Sequence, residues 1–555
     1  MHKSITHLLS PLVFLSGCFS VQAETLQPSS AEIQPEQPNI IIMVADDIGF
    51  ADPGFRGSGI ETPAIDSLAA DGVTMNRFYT APISSPTRAA LMTGRDPIRL
   101  GVAYSVVLPW DSGGVHTSEH FMPESFQAAG YQTAMMGKWH LGHSQENFLP
   151  NRRGFDYFYG HLHTEVGYYP PFSLLGGKDF QENGKSIDAP EGAEGYSTFL
   201  LANKTSEWIK ERDKSKPFFL YLPFLAPHEP LEAPQTLIDK YADLKDERGP
   251  ARSPSDDISK VSKMTGTKSR RPLYAAVVDA MDQAVGKVLK TLDDENIADN
   301  TIVMFFSDNG ATRVHGRGGG DNAPYRGGKG EVYEGGIRVV SVMRWPDKIK
   351  SGTILNDTMT VMDVFPTLTA ASRVKPLNDY KLDGINMLPA LTEGKTVKRK
   401  EPVFFTSEIP LYNSFGYTTI DGDWKLVQWV TQEPMSTSVT QELYNLADDP
   451  GEYNDLSSKE PKRVAKMSQQ ILTRRALHPI NGVRARISSP PGWRPPLDWA
   501  TYPRPSTELQ EIPATSMAPT RTSEHVLDYL HDERGRLIYN CEPTHVPFVG
   551  GVCIP

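Results

Sequence analysis

The residues best placed to do chemistry fall into three groups. The first centres on a serine hydroxyl, a candidate nucleophile. Ser84 opens the run Ser84-Ser85-Pro86-Thr87-Arg88-Ala89-Ala90-Leu91-Met92-Thr93-Gly94-Arg95. A polar, proline-broken loop precedes it, and good helix formers follow from Thr87 to Met92. Proline near the start and glycine just past the end predict a helix that stops at Thr93-Gly94. Ser84 then stands in front of a helix N-terminus, where free N–H groups and the dipole favour an anion. An ordinary N-cap serine is the plain alternative. The second group is acidic. Asp46-Asp47 comes directly off the apolar run Asn39–Val44, and Asp308-Asn309 comes off Thr301–Phe306. Two adjacent carboxylates repel each other unless a cation holds them. All four side chains offer hard oxygens, which suit Ca²⁺, or Mg²⁺, over zinc. The third group is cationic: Arg88, Lys138 and His140 in Gly137-Lys138-Trp139-His140-Leu141-Gly142, His228, and Lys329. Lys138 and His140, two apart, point into one cleft if the backbone stays extended. An oxygen nucleophile, a hard cation and a ring of positive side chains are the requirements for displacement at an anionic ester.

The elements that must position these groups read as an α/β fold. Asn39–Val44, Tyr131–Met136, Pro217–Leu222 and Thr301–Phe306 are short apolar runs, the pattern of strands buried on both faces of a parallel sheet. Each ends next to one of the polar groups above, and ligands gather at the carboxyl ends of such strands. A strand is expected over Val73–Tyr79. Helices are expected over Pro63–Ala70, Pro123–Ala129, Ser197–Arg212 and Leu273–Leu292, the last from apolar residues at helical spacing. Residues 235–272 are charged and read as an exposed insertion with a short helix. The glycine-rich stretch around residues 316–330 lacks the lysine–hydroxyl pair of a phosphate-binding loop, and reads as a substrate loop that brings Lys329 inward. From Pro402 the texture changes to short alternating segments (Val403–Phe405, Gly416–Ile420, Trp424–Trp429, Glu442–Leu446), with a hairpin turn at Asp421-Gly422-Asp423 and a helix over Pro461–Leu477. The expected organisation is an α/β domain at 39–398, made of a large, mostly parallel sheet sandwiched by helices, and a smaller α+β domain at 399–480 with an antiparallel sheet plus a helix. A proline-rich, extended tail at 481–555 follows.

The 555-residue chain carries a net charge of −11, which argues against nucleic acid as a partner and requires any positive field at a site to be local. Residues 1–23 have the basic start, apolar run and small-residue end of a signal peptide. Leu15-Ser16-Gly17-Cys18 also reads as a lipidation site, so a secreted or periplasmic protein and an outer-membrane lipoprotein anchored at Cys18 both stand. Residues 24–38 read as a disordered leader. Cys541 and Cys553 are most simply a disulfide that pins the tail.

Ser84-x-Pro86-x-Arg88 followed by Leu91-Met92-Thr93-Gly94-Arg95 resembles the signature of type I sulfatases, in the alkaline phosphatase superfamily. So does the Gly137–Gly142 element. The likeness extends over roughly residues 38–345. Asn445-Leu446-x-x-Asp449-Pro450-x-Glu452 is similar to that family's C-terminal domain, and Arg152–Gly160 resembles the branch containing arylsulfatase B. The resemblance implies hydrolysis of sulfate esters by formylglycine at position 84, with Asp46, Asp47, Ser84, Asp308 and Asn309 around a calcium ion. It implies that Arg88 and Lys138 hold charge, His228 or Lys329 protonates the leaving oxygen, and His140 acts as base in sulfate release. It further implies a formylglycine-generating partner enzyme, acting on Ser84 or on a native cysteine that this serine replaces. The branch hints at sulfated sugars of galactan or glycosaminoglycan type. Tyr168, Tyr169 and Trp110 are aromatic faces that suit sugar rings or, equally, core packing, and Glu165, Tyr168, His315 and Arg317 are candidate sugar contacts. Two other readings remain open. One is a phosphodiesterase or phosphonate hydrolase on the same fold, and the other is a non-catalytic carbohydrate-binding relative with unmodified Ser84.

Overall fold

The computed structural model describes residues 37–503, apart from 165, 171, 173–176, 191, 250–251, 253–268, 313–317, 378–379, 410–413, 434 and 480–492. The signal segment, all but the last two residues of the leader, Cys18 and the Cys541–Cys553 pair therefore lie outside the described residues.

Among the described residues the strands are β1 (Asn39–Ala45), β2 (Val73–Met75), β3 (Phe78–Tyr79), β4 (Gln132–Lys138), β5 (Tyr157–His161), β6 (Gln181–Glu182), β7 (Lys185–Ser186), β8 (Phe218–Pro223), β9 (Thr301–Ser307), β10 (Ser341–Arg344), β11 (Thr353–Leu355), β12 (Met359–Thr360), β13 (Val403–Ile409), β14 (Ser414–Asp421), β15 (Trp424–Glu433) and β16 (Ser436–Asn445). Ten of them form one sheet, in the order β11-β2-β10-β9-β1-β8-β4-β5-β6-β7. Its centre, β9-β1-β8-β4-β5, is parallel throughout. β10 runs antiparallel to both β9 and β2.

β1 shows why its sequence is apolar at every position. Ile41, Met43 and Ala45 join one core, with the helices Pro63–Ala70, Ser197–Glu211 and Arg271–Asp294. Ile40, Ile42 and Val44 join the other, with the helices Ser84–Thr93, Met122–Ala128 and Val364–Ser372. Alternate side chains leave opposite faces of a strand, so a sheet covered on both sides has no polar face to show.

The second sheet is antiparallel, in the order β13-β14-β15-β16. The same alternation divides its faces. Phe404, Tyr417 and Leu426 pack on Met467 and Ile471 of the helix Pro461–Arg475. Val403, Phe405, Val427 and Trp429 meet Tyr79, Val332, Tyr333 and Ile337 from the larger sheet's side. The tight turn between β14 and β15 falls where expected, with Gly422 at φ 66°.

Three expectations need correction. The single strand over Val73–Tyr79 is two, in different sheets. The chain turns at Asn76-Arg77, and Arg77 leaves to pair with Asp423 at 2.6 Å. The strand expected at Glu442–Leu446 is the end of a much longer β16, whose first half is polar and exposed and so carries no apolar period. The helix Ser84–Thr93 begins at Ser84 itself, with Ile83 as its N-cap residue in extended conformation, so Ser84 lies in the first turn rather than before it. Its end is as expected, at Gly94 with φ 65°.

Candidate active site

β1, β8 and β9 are neighbours, so the residues that follow them emerge together. The Asp46 N–H donates to Ala226 O (2.9 Å), and the Asp308 N–H donates to Ala45 O (3.0 Å). Asp46, Asp308 and Asn309 are fully buried, and Asp47 nearly so. Asp47 adopts φ 73°, a left-handed turn that swings its carboxylate back toward β9. The Asn309 Nδ2 donates to Asp47 Oδ1 at 2.6 Å, while Asn309 Oδ1 is buried with no hydrogen-bond partner. Close approach here depends on glycine. A Cβ on Gly310 would lie 1.7 Å from the carbonyl oxygen of Gly335. His228, after β8, places Nε2 3.9 Å from Asp47 Oδ2. Asp46, Asp47 and His228 offer ligand atoms within 4.8 Å of one another.

The helix Ser84–Thr93 brings Ser84 to the other side of Asp46, and the Ser84 Oγ donates to Asp46 Oδ1 at 3.4 Å. One turn on, Arg88 is fully buried. It pairs with Asp308 at 2.9 Å and Asp46 at 3.5 Å, leaving its Nε without a partner. Lys138, the last residue of β4, pairs with Asp46 in full burial. Lys329 reaches Asp47 Oδ2 at 2.8 Å, and its N–H is held by Ala311 O. Three carboxylates thus face three permanent cations. The expected positive field is local, but it is balanced by the acids it surrounds.

His140 departs from the extended geometry expected of it. It sits at φ 62°, with its N–H on Leu162 O (3.0 Å) and its carbonyl accepting from Ser85 Oγ (2.8 Å). Its Nε2 lies 3.1 Å from Val107 O. A carbonyl only accepts, so that nitrogen carries the proton and the buried, unpartnered Nδ1 keeps its lone pair. Burial, with Lys138 and Arg88 adding, holds His140 well below the usual imidazole range. His228 is lowered to about 4, first by burial and then by Lys329. Burial also works against the charge on Lys329, but Asp47, Asp46 and Asp308 outweigh it and raise its pKa. Asp308 is pushed up to about 6 by burial and the neighbouring Asp46. Asp46 moves the other way. Its burial is overcome by Lys138, His228, Arg88 and Lys329, which hold it well below the carboxylate range.

All ten catalytic and metal candidates therefore meet around one point. The sugar contacts do not follow suit. Tyr168 is fully buried, stacked on Tyr196, with its hydroxyl donating to His228 O at 2.9 Å. It anchors the histidine's loop and has no face to offer a sugar. Glu165, His315 and Arg317 lie outside the described residues. Several supporting groups carry no motif in the sequence. Ser307 Oγ donates to Asn309 O at 2.6 Å, and the Tyr221 hydroxyl lies 3.4 Å from Arg88. Asp179 accepts from the N–H groups of Leu162 and His163 (3.0 and 3.1 Å), fixing the turn on which His140 hangs. Burial pushes Asp179 up to about 8. Only its place in the fold reveals it.

Residues 38–373 match the family model described as Sulfatase, and residues 328–476 match that described as N-sulphoglucosamine sulphohydrolase, C-terminal. The chain is 34% identical to human N-acetylgalactosamine-6-sulfatase over 391 residues, covering 67% of this chain and 68% of that protein. It is 29% identical to mouse arylsulfatase J over 486 residues, covering 80% and 77%. A solved structure, Ps i-CgsB in complex with k-i-k-neocarrahexaose, matches at TM-score 0.69 and 29% identity, covering 80% of this chain and 94% of that one. With more than half its length matched by that family's model, the chain belongs to the sulfatase family and is a sulfuric ester hydrolase.

Proposed function

We propose that the chain removes sulfate from sulfated saccharides, using formylglycine formed from Ser84 and a calcium ion held by Asp46, Asp47, Asp308 and Asn309. The observation that carries the metal reading is Asn309 Oδ1, a hard oxygen buried among carboxylates without a hydrogen bond. Leaving such a group unsatisfied costs about 1–3 kcal/mol, and a cation offsets that cost. A divalent ion also tips the balanced site to net positive, the sign that a sulfate ester needs. When present, the metal would lower the pKa of the attacking hydroxyl, and the hydrated aldehyde would supply two hydroxyls, one to attack sulfur and one to release it.

This chain's own side chains divide the remaining work. Arg88 and Lys138 hold negative charge on the nucleophile and sulfate. Lys329, which keeps its proton, donates it to the departing sugar oxygen, while His228, neutral with Nδ1–H on Glu229 O at 2.6 Å, presents Nε2. His140 offers the free lone pair of Nδ1 as the base for sulfate release.

The names of the relatives support sulfated, galacto-configured sugars, as in carrageenan or chondroitin, as the substrate class. The leader supports export, with soluble and Cys18-anchored forms separated by whether detergent is needed for extraction. Position 84 is tested by the mass of its peptide from the native host. A loss of two hydrogens relative to serine is expected, and unmodified serine sinks the catalytic reading. Comparing aryl sulfate with aryl phosphate turnover separates a sulfatase from the phosphodiesterase alternative.

A further inference from the structure

In its described segment, residues 493–503, the C-terminal tail packs on His143, three residues after His140. Trp499 is fully buried, packed on His143 (5.4 Å between ring centroids) and His163 (4.4 Å). Lys178 and Asp498 form a β-bridge, and Ser186 donates to Asp498. This anchor holds Trp493 against Trp110, edge to face, with ring centroids 5.7 Å apart and both residues half-buried.

Trp110 belongs to a loop tied to the catalytic machinery at several points. The Val107 N–H donates to Ser85 Oγ (3.0 Å), Val107 O holds His140 Nε2 (3.1 Å), and Pro109 O meets His143 Nε2 (3.0 Å). Three residues of chain span at most about 11 Å, so Trp110 stands within a short oligosaccharide's reach of His140. Exposed Arg494 adjoins Trp493 in a chain whose overall charge is negative.

We propose that Trp110 and Trp493 form a subsite for a sugar ring next to the one losing sulfate, with Arg494 serving a second sulfate on the same chain. The inference rests on the sulfatase reading and extends it from a sulfated sugar to a sulfated oligosaccharide. Aromatic faces stack on the apolar C–H faces of pyranose rings, and a pair set edge to face offers two differently tilted surfaces. The tail thereby contributes directly to binding, because its buried Trp499 fixes one half of a platform whose other half, Trp110, stands on the catalytic domain.

The test uses full-length protein and three variants, Trp110→Ala, Trp493→Ala and Trp493→Phe. Their substrates are an aryl sulfate, neocarra-oligosaccharides and chondroitin sulfate oligosaccharides of increasing length. Wild type should show KM falling with length in one oligosaccharide series. Each alanine variant should raise KM on the longer members roughly three- to tenfold, with kcat and aryl sulfate turnover within about twofold, and Trp493→Phe should restore most of the loss. Calorimetric binding of the same oligosaccharides to protein with unconverted Ser84 gives the same comparison without turnover. Loss of aryl sulfate hydrolysis by wild type overturns the sulfatase reading. Length-independent KM and affinity in both series, or alanine variants that match wild type at every length, overturn the subsite.

Discussion

Replacing Lys425 with methionine isolates the electrostatics that join the two sheets. Lys425 Nζ lies 3.0 Å from Glu334 Oε1 and 2.9 Å from Glu452 Oε1, with all three side chains fully buried. Glu334 keeps Arg338 (3.3 Å) and the Tyr79 hydroxyl (3.0 Å) when Lys425 is lost. Among the described residues, Glu452 keeps the backbone N–H of Glu334 at 2.7 Å. Methionine fills much of the lysine volume, so the cost is mainly that of stranding buried carboxylates, about 3–5 kcal/mol. Burial, partly offset by Lys425, pushes Glu452 up to about 7 from an unfolded value of 4.5. A carboxyl raised on folding contributes its full stability below the unfolded value and loses it as pH rises through the folded one. Removing Lys425 raises the folded value further, so the variant's deficit should be largest near about pH 8 and clearly smaller near about pH 5.5. Guanidinium unfolding of both proteins at the two pH values measures this. A deficit under about 1 kcal/mol at both, or one that grows on acidification, refutes the assignment of this triad as the electrostatic link.

Other outcomes follow from the same geometry. Asn309→Ala and Asp46→Asn should each weaken calcium affinity by at least about tenfold, measured by calorimetry, because each removes a hard oxygen from a small set. His140→Ala should lower kcat on aryl sulfate by about a hundredfold or more, in the range of a lost general base. With His140 and His228 both held below the imidazole value of 6.5, the acid limb of kcat/KM should fall below that pH; a limb centred on it contradicts the buried-neutral assignment. Trp499→Ala should free the tail, seen as new proteolytic cleavage near residue 493, and should raise oligosaccharide KM as Trp493→Ala does.

The strands at the sheet's centre are legible in the sequence because burial on both faces leaves an unbroken apolar run. Ser84, Arg88, Lys138, His228 and Lys329 lie at the ends of elements, but each alone reads as an ordinary capping or surface residue, and only their joint match to a known signature singles them out. Local geometry is less legible. The turn at Asn76-Arg77 has no glycine or proline to announce it, and the partner that Arg77 takes, Asp423, is distant in sequence. The left-handed backbone at His140 is set by Leu162 and Ser85, residues far away in sequence. Tyr168 resembles a sugar platform because an aromatic residue in a loop with no clear period reads alike whether it faces solvent or core. Asp179 leaves no trace at all, since a single aspartate carries no pattern.

The shared core of Tyr79, Val332, Tyr333 and Ile337 with β13–β16 bears on how such enzymes can be recombined. The two family matches overlap over residues 328–373, and the overlap contains Glu334, the acceptor of Lys425. A chimera joined just before β13 would set a foreign sheet on this chain's Tyr333 and Glu334, mismatching both the apolar faces and a buried charge. A junction ahead of residue 328 would carry the acid and its lysine together, and with them Gly335, whose carbonyl closes over Gly310 beside Asn309. The unit of exchange is therefore the small sheet with its docking strip.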